Sequence, residues 1–122
     1  MKSFAVTLLL LVIMLLGIVT NSLYINNVAN EMLQMLDALP DPSHPSCGEK
    51  ARALLEFWNL HLSPVELSVN YLIVDRVTEQ ARLLVSSAEK GDSYGYAAAR
   101  TLLRDAVEDL ERLESMALGS IL

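Results

Sequence analysis

The chain has 122 residues, is 52% hydrophobic and carries a formal net charge of −6, with one cysteine and two histidines. Its nine lysines and arginines form no basic patch, so we expect no nucleic-acid partner. The length allows at most one domain beyond the apolar N-terminal run, and the single Cys47 excludes an intrachain disulfide.

The N-terminal run, residues 4–19, contains no charged residue. As a helix, residues 4–25 would be about 33 Å long, which is enough to cross a bilayer. Lys2 precedes the run and the next positive residue is Lys50, so the positive-inside rule predicts a cytoplasmic N-terminus and an extracytoplasmic remainder. We expect residues 1–25 to be a signal-anchor transmembrane helix of a single-pass cell-membrane protein, with too short a cytoplasmic tail for an output domain.

A cleaved secretory signal peptide is the alternative to an anchor. Such a peptide ends in an A-x-A-like site of small residues. Thr20 and Ser22 are the best small pair here, and they match that site poorly. The anchor is therefore favoured, with a secreted helical protein as the outcome if cleavage occurs.

Beyond the anchor, residues 26–39 predict a helical stalk and residues 40–48 a linker. The stalk's apolar residues recur at helical spacing: Val28, Met32, Met35, Leu36 and Leu39. Asn26 and Asn27 could permit a bend there. Three prolines between residues 40 and 45 exclude a helix or a central strand in the linker.

The extracytoplasmic domain, residues 49–122, contains three helical patterns. The first, residues 49–62, presents Ala51, Leu54, Leu55, Trp58 and Leu62 on one face. Ser63, Pro64 and Glu66 form a capping-box pattern, which predicts a sharp turn and a new helix from Pro64 to Lys90. Gly91 is the predicted stop of that second helix.

Asp92 is the predicted cap of the last helix, which we expect to end at residue 118 before Gly119. Its apolar seam comprises Ala99, Leu103, Ala106, Leu110, Leu113 and Ala117, widened by Leu102, Val107 and Met116. Glu108 and Arg112 form an i, i+4 pair. The fold class is therefore all-α: a transmembrane helix continuing as a stalk, then a small three-helix bundle built on a long antiparallel hairpin.

Four residues around the turn at Ser63 are candidates for a small interaction or polar site: Trp58, His61, Glu66 and Arg76. They could form a recognition site or an acid–base pair. The structural alternative is favoured, because Glu66 is explained by capping, Trp58 by the core and His61 by a helix C-terminus. The sequence has no nucleophile elbow, phosphate loop or paired-cysteine motif, so we expect no catalytic residues.

His44 and Cys47 have a His-x₂-Cys spacing, with Asp41 and His61 also available. A zinc site needs three or four ligands, and no second pair is present, so we expect neither a metal nor a cofactor. Cys47 is instead a candidate intermolecular thiol, since the linker is expected to be exposed in an oxidising compartment.

The order and spacing of several short segments resemble a bacterial domain-of-unknown-function family of short single-anchor membrane proteins. These segments are Trp58 to Glu66, Val69 to Val77, Gly91-Asp92 and the C-terminal residues 119–122. Members often end in Asn-Ile-Leu, where this chain has Ser120, and the proline-rich linker with Cys47 is not a feature of the family. The resemblance implies a helical extracytoplasmic domain and no particular activity.

These observations predict a membrane-anchored, non-enzymatic protein that acts by protein–protein contact, as an accessory subunit of a larger membrane protein or by self-association. A small helical domain has little apolar area to bury, so a partner could complete its core. A small ligand-binding ectodomain is the alternative, and it would require a pocket between helices near Trp58 and Arg76.

Overall fold

The computed structural model describes residues 1–66 and 71–121, and within these ranges all side chains except those of residues 63–66, 117, 118, 120 and 121. Four helices account for nearly all of it: α1 (Lys2–Asp37), α2 (Cys47–Glu66), α3 (Tyr71–Lys90) and α4 (Ser93–Ile121). No strand occurs in the described ranges, which confirms the all-α prediction.

The long apolar helix α1 has two different halves. Residues 2–18 are all exposed, and the stretch apolar enough to span a membrane has no buried residue. Burial begins at Ser22, after which Ile25, Val28, Met32 and Leu36 lie in the core. The apolar N-terminal helix is confirmed, and it continues without interruption past Asn26 and Asn27.

The stalk half of α1 is part of the same hydrophobic core as the other three helices. Two arginines of α4 hold its C-terminal end. Arg100 donates a hydrogen bond of 2.8 Å to the carbonyl oxygen of Leu36, and Arg104 pairs with Asp37. The Leu36 carbonyl also accepts the backbone N–H of Leu39 at 3.3 Å, so Arg100 is a second donor to a carbonyl at the helix end.

Helix α2 differs from the sequence prediction at both ends. It begins at Cys47 rather than at residue 49, and it continues through Ser63 and Pro64 to Glu66. The predicted helix start at Pro64 is therefore wrong. A capping box is a weak local signal, and it does not by itself end the helix that precedes it.

The connection between α3 and α4 agrees with the prediction. Gly91 has a φ of +70°, the left-handed conformation in which glycine avoids a steric penalty. The N–H of Asp92 bonds the carbonyl of Ser87, and that of Gly91 bonds Ala88, which completes a Schellman motif. The Asp92 carboxylate then accepts the N–H of Gly95 at 2.9 Å, so the predicted cap of α4 is confirmed.

Helix α4 buries most of its predicted seam, namely Ala99, Leu103, Ala106, Val107 and Leu110, together with Tyr96. Leu102, Leu113 and Met116 are exposed, and Ala117 lies outside the described side chains. The helix runs to Ile121, so the predicted stop at Gly119 is wrong. Arg112 pairs with Asp109 at 3.5 Å rather than with Glu108.

Candidate functional site

Trp58 is fully buried and joins α2 to α3. Its indole N–H donates a hydrogen bond of 2.8 Å to the hydroxyl of Thr78, which in turn donates to the carbonyl of Val74 at 3.0 Å. A buried indole N–H needs such a partner, because leaving it unpaired would cost free energy. The residue is therefore a member of the core.

His61 lies on a different side of α2 and contacts α1. Its Nδ1 and the hydroxyl of Tyr24 are hydrogen-bonded. The ring of Phe57 lies 4.6 Å from that of His61 between centroids, and the ring of Tyr24 lies 5.6 Å from it. This aromatic cluster joins the end of α2 to α1 where the apolar run of α1 ends, and its Tyr24–His61 bond spans 37 positions of sequence.

Arg76 contacts a third helix. Its guanidinium lies 3.4 Å from the carboxylate of Asp109 on α4, and Arg112 approaches the same carboxylate. These groups are half exposed, where ion pairs contribute little to stability. Each of the three described members of the candidate polar site thus reaches a different helix, and the side chain of Glu66 lies outside the described residues.

The linker places Cys47 in the core. Its side chain is 1% exposed, so the expectation of an exposed thiol is wrong. The reason is that α2 begins at Cys47, whose side chain packs beside Tyr96. The Tyr96 hydroxyl donates a hydrogen bond of 3.1 Å to the carbonyl of Pro40. Burial raises the pKa of Tyr96 well above its ordinary value, and the interaction with the Cys47 thiol adds to the shift.

His44 forms hydrogen bonds within the linker and lies far from His61. Its Nδ1 accepts the backbone N–H of Ser46 at 3.1 Å and contacts the Ser46 hydroxyl. Cys47 and His61 are separated along α2 by fourteen residues, which corresponds to about 21 Å. Among the described residues, no three histidine, cysteine or acidic side chains are grouped as a metal site would require.

A polar contact that the sequence did not indicate joins α1 to α4. The hydroxyl of Ser22, which is almost fully buried, donates a hydrogen bond of 2.9 Å to the carboxylate of Glu114, 92 positions away. Beside it lies a cavity of about 30 Å³ lined in part by Asn26, whose side-chain oxygen has no partner among the described residues.

Three open grooves each lie along the outer face of a single helix. On α1 the groove measures about 550 Å³ and includes Gly17 and Tyr24, and on α3 it measures about 440 Å³ and includes Asp75 and Arg82. The third, about 480 Å³, lies on α4 and is lined by Tyr94, Ala97, Ala98, Thr101 and Leu102. A groove on one helix is a surface for contact rather than an enclosed ligand pocket.

No protein-family model, curated protein or solved structure matches the chain.

Proposed function

We propose that this protein is a single-pass membrane protein whose helical domain acts outside the cytoplasm by contact with another protein. The observation that carries the proposal is the division of α1. Its apolar residues from Phe4 to Ile18 are exposed, whereas Ile25, Val28, Met32 and Leu36 form part of the core. From Phe4 to Asn21, before burial begins at Ser22, the helix is about 27 Å long, close to the thickness of the hydrocarbon core of a bilayer.

The orientation follows from charge. Lys2 is the positive residue on one side of the apolar run, and the positive residues that follow begin with Lys50. Positive charge close to a membrane segment stays in the cytoplasm. We therefore place the N-terminus in the cytoplasm and helices α2 to α4 outside it.

For the domain, we propose an up-and-down bundle in which each helix is antiparallel to the next and the outer half of α1 is the fourth member. Two pairs of contacts support this arrangement. Ser22 meets Glu114 while Leu36 meets Arg100, so α1 and α4 run in opposite directions. In the same way, Trp58 meets Thr78 while Arg52 meets Glu89, so α2 and α3 also run in opposite directions.

The groove on α4 is the surface we assign to a partner helix. Ala97, Ala98 and Thr101 are small and exposed, so another backbone could approach closely. Tyr94, an exposed aromatic residue of the kind enriched at interfaces, and Leu102, a large exposed apolar residue, flank them. The buried face of the same helix is already occupied by α1 and α3.

Fractionation and labelling test the anchor and its orientation. In a Cys47→Ala background, Ser43→Cys places a thiol on an exposed linker residue and Ser3→Cys places one before the apolar run. We expect both proteins to stay in the membrane fraction after alkaline extraction, at full-length mass, with an impermeant maleimide labelling only position 43 in intact cells. A shortened, extractable protein would indicate a cleaved signal peptide, and labelling of position 3 alone would reverse the orientation.

Photo-cross-linking tests the partner surface. A photoreactive residue at Thr101 lies in the α4 groove, whereas one at the exposed Glu56 of α2, which lines none of the three grooves, is the matched control. We expect a discrete adduct with another membrane protein at position 101 and not at position 56. A self-adduct would indicate a homo-oligomer instead. Equal adducts at positions 101 and 56, or none at either, would contradict a partner surface on α4.

A further inference from the structure

Large exposed apolar side chains recur at the end of the helical domain that lies nearest the apolar run of α1. Leu60 near the end of α2, Tyr71 at the start of α3 and Met116 near the end of α4 are 76%, 70% and 64% exposed. We call these three residues the anchor-proximal surface. Scattered single apolar residues are common on protein surfaces, so their shared location is the informative point.

Contacts between helices fix how far each of these residues lies toward the membrane side. Glu114 is level with Ser22, which immediately follows the exposed part of α1. From Glu114, α4 continues to Ile121, about 10 Å further in the direction of the membrane. His61 is level with Tyr24, and α2 continues past it to Glu66.

Helix α3 reaches the same depth at its beginning. Thr78 is level with Trp58, and Tyr71 precedes it by seven residues, or about 10 Å toward the membrane side. Tyr71 is therefore closer to the apolar run than His61 is. The phenol of tyrosine, apolar in its ring and polar at its hydroxyl, suits the headgroup region of a bilayer.

The same segments contain few charged residues. Residues 57–74 contain one charged residue, Glu66, and residues 113–122 contain one, Glu114. At the opposite end, Glu49, Lys50 and Arg52 begin α2, and Glu89, Lys90 and Asp92 surround the connection between α3 and α4. If water alone surrounded both ends of the domain, there would be no physical reason for these segments to contain so few charged residues.

We propose that the anchor-proximal surface is embedded in the headgroup region of the outer leaflet, so that the domain rests on the lipid in addition to being held by α1. The proposal depends on the membrane anchor proposed above. The headgroup region is about 5–7 Å thick on each side of the hydrocarbon core. Met116, two residues after Glu114, lies about 3 Å past the level of Ser22, which places it among headgroups.

The lipid chemistry that fits this surface is neutral. Neither segment, residues 57–74 or residues 113–122, contains a lysine or an arginine, and the one charged residue of each is a glutamate. Attraction to anionic lipid requires clustered cationic side chains. Contact should therefore form with zwitterionic lipid, and it should be insensitive to salt and to added anionic lipid.

Depth-dependent fluorescence quenching tests the proposal in the full-length protein, reconstituted in phosphatidylcholine vesicles with Cys47→Ala as background. An environment-sensitive fluorophore is attached at Leu60→Cys, Tyr71→Cys or Met116→Cys. Tyr94→Cys, 87% exposed at the far end of α4, is the aqueous control, and Leu10→Cys reports the anchor itself. Emission of the buried Trp58 verifies that each labelled protein is folded.

We expect spin-labelled lipid to quench the labels at positions 60, 71 and 116 more than the label at position 94. Among those three, lipid spin-labelled near the headgroup should quench more than lipid labelled near the chain end, with the reverse order at position 10. The proposal would be overturned if lipid quenched the labels at positions 60, 71 and 116 no more than the label at position 94. If the label at position 10 were still quenched, the anchor would remain supported.

Two other results would also be decisive. If the label at position 10 is not quenched by lipid, the anchor itself fails. If the three surface labels are shielded from lipid and from aqueous iodide alike, a protein covers them, and a second copy or a partner takes the place of lipid. Quenching that appears only with anionic lipid would contradict the neutral surface.

Discussion

The hydrogen bond between the indole of Trp58 and the hydroxyl of Thr78 joins α2 to α3. The two residues are twenty positions apart in the sequence, and the bond satisfies an N–H donor that the core would otherwise leave unpaired. The sequence predicted that Trp58 lies in the core, because it falls on the apolar face of α2. Its partner could not be predicted, because nothing local distinguishes Thr78 from an exposed threonine.

Replacing Thr78 by valine tests this bond at nearly constant volume. We expect Thr78→Val to lower the free energy of unfolding by about 1–3 kcal/mol, because the indole N–H loses its partner in the core. Urea unfolding in mild detergent, followed by the fluorescence of Trp58, measures the loss. The exposed Thr101→Val is the matched control and should change stability by less than about 0.5 kcal/mol.

Tyr96 makes stability depend on alkaline pH. Because burial raises its pKa, the folded protein retains the phenol proton above pH 10, whereas the unfolded chain releases it near pH 10. The unfolded state then binds fewer protons, so the free energy of unfolding falls as pH rises, by at most about 1.4 kcal/mol per pH unit.

Comparison of two phenylalanine variants isolates that effect. Tyr96→Phe should be less stable at neutral pH, since the carbonyl of Pro40 loses its donor, yet its stability should fall less steeply between pH 9 and pH 11. Tyr94→Phe, at an exposed tyrosine, should keep the slope of the unmodified protein. Equal slopes in all three proteins would show that Tyr96 does not carry the pH dependence.

Among the helices, the boundaries on both sides of the α3–α4 connection were predictable, whereas those predicted at Ser63 and Gly119 were wrong. Gly91 ends α3 because its backbone is left-handed, and Asp92 caps α4 because the next N–H groups need an acceptor. The capping pattern at Ser63 and the glycine at position 119 carry no such requirement. Both lie inside helices, because a local side-chain preference is a weak signal and a continuing helix keeps its backbone hydrogen bonds.

The two glycines provide a direct test of these boundaries. Gly91→Ala should lower the free energy of unfolding by about 1–2 kcal/mol, because alanine is strained in the left-handed conformation. Gly119→Ala should be neutral or stabilising by up to about 1 kcal/mol, because α4 continues through it and no atom lies within 4 Å of the added methyl group. A marked loss of stability in Gly119→Ala would indicate instead that α4 ends at residue 119.

For the molecule as a whole, the class and the apolar segment were predictable, while the position of the linker cysteine was not. Hydrophobic periodicity identifies which face of each helix is buried, and this sufficed for the core of α1 and α2. It cannot show that Pro40, Cys47 and Tyr96 meet, since they belong to three separate segments. The candidate site dispersed for the same reason: the partners of Trp58, His61 and Arg76 lie on three different helices.

The burial of Cys47 predicts the thiol chemistry of the intact protein. In the folded state a maleimide should react with Cys47 much more slowly than with Ser43→Cys in a Cys47→Ala background, because only the latter side chain is exposed. In denaturant the two rates should become similar. A disulfide-linked dimer on non-reducing gels of freshly extracted protein would contradict this, since it requires an accessible thiol.

One continuous helix links the apolar run to the core, because α1 passes from residue 2 to residue 37 without a break. In the membrane-anchored protein proposed above, α1 therefore couples the orientation of the domain rigidly to that of the transmembrane segment. A thinner bilayer tilts a transmembrane helix to match its apolar length, and the domain would have to tilt by the same angle. Bilayer thickness would then set the angle at which the groove on α4 faces a neighbouring protein.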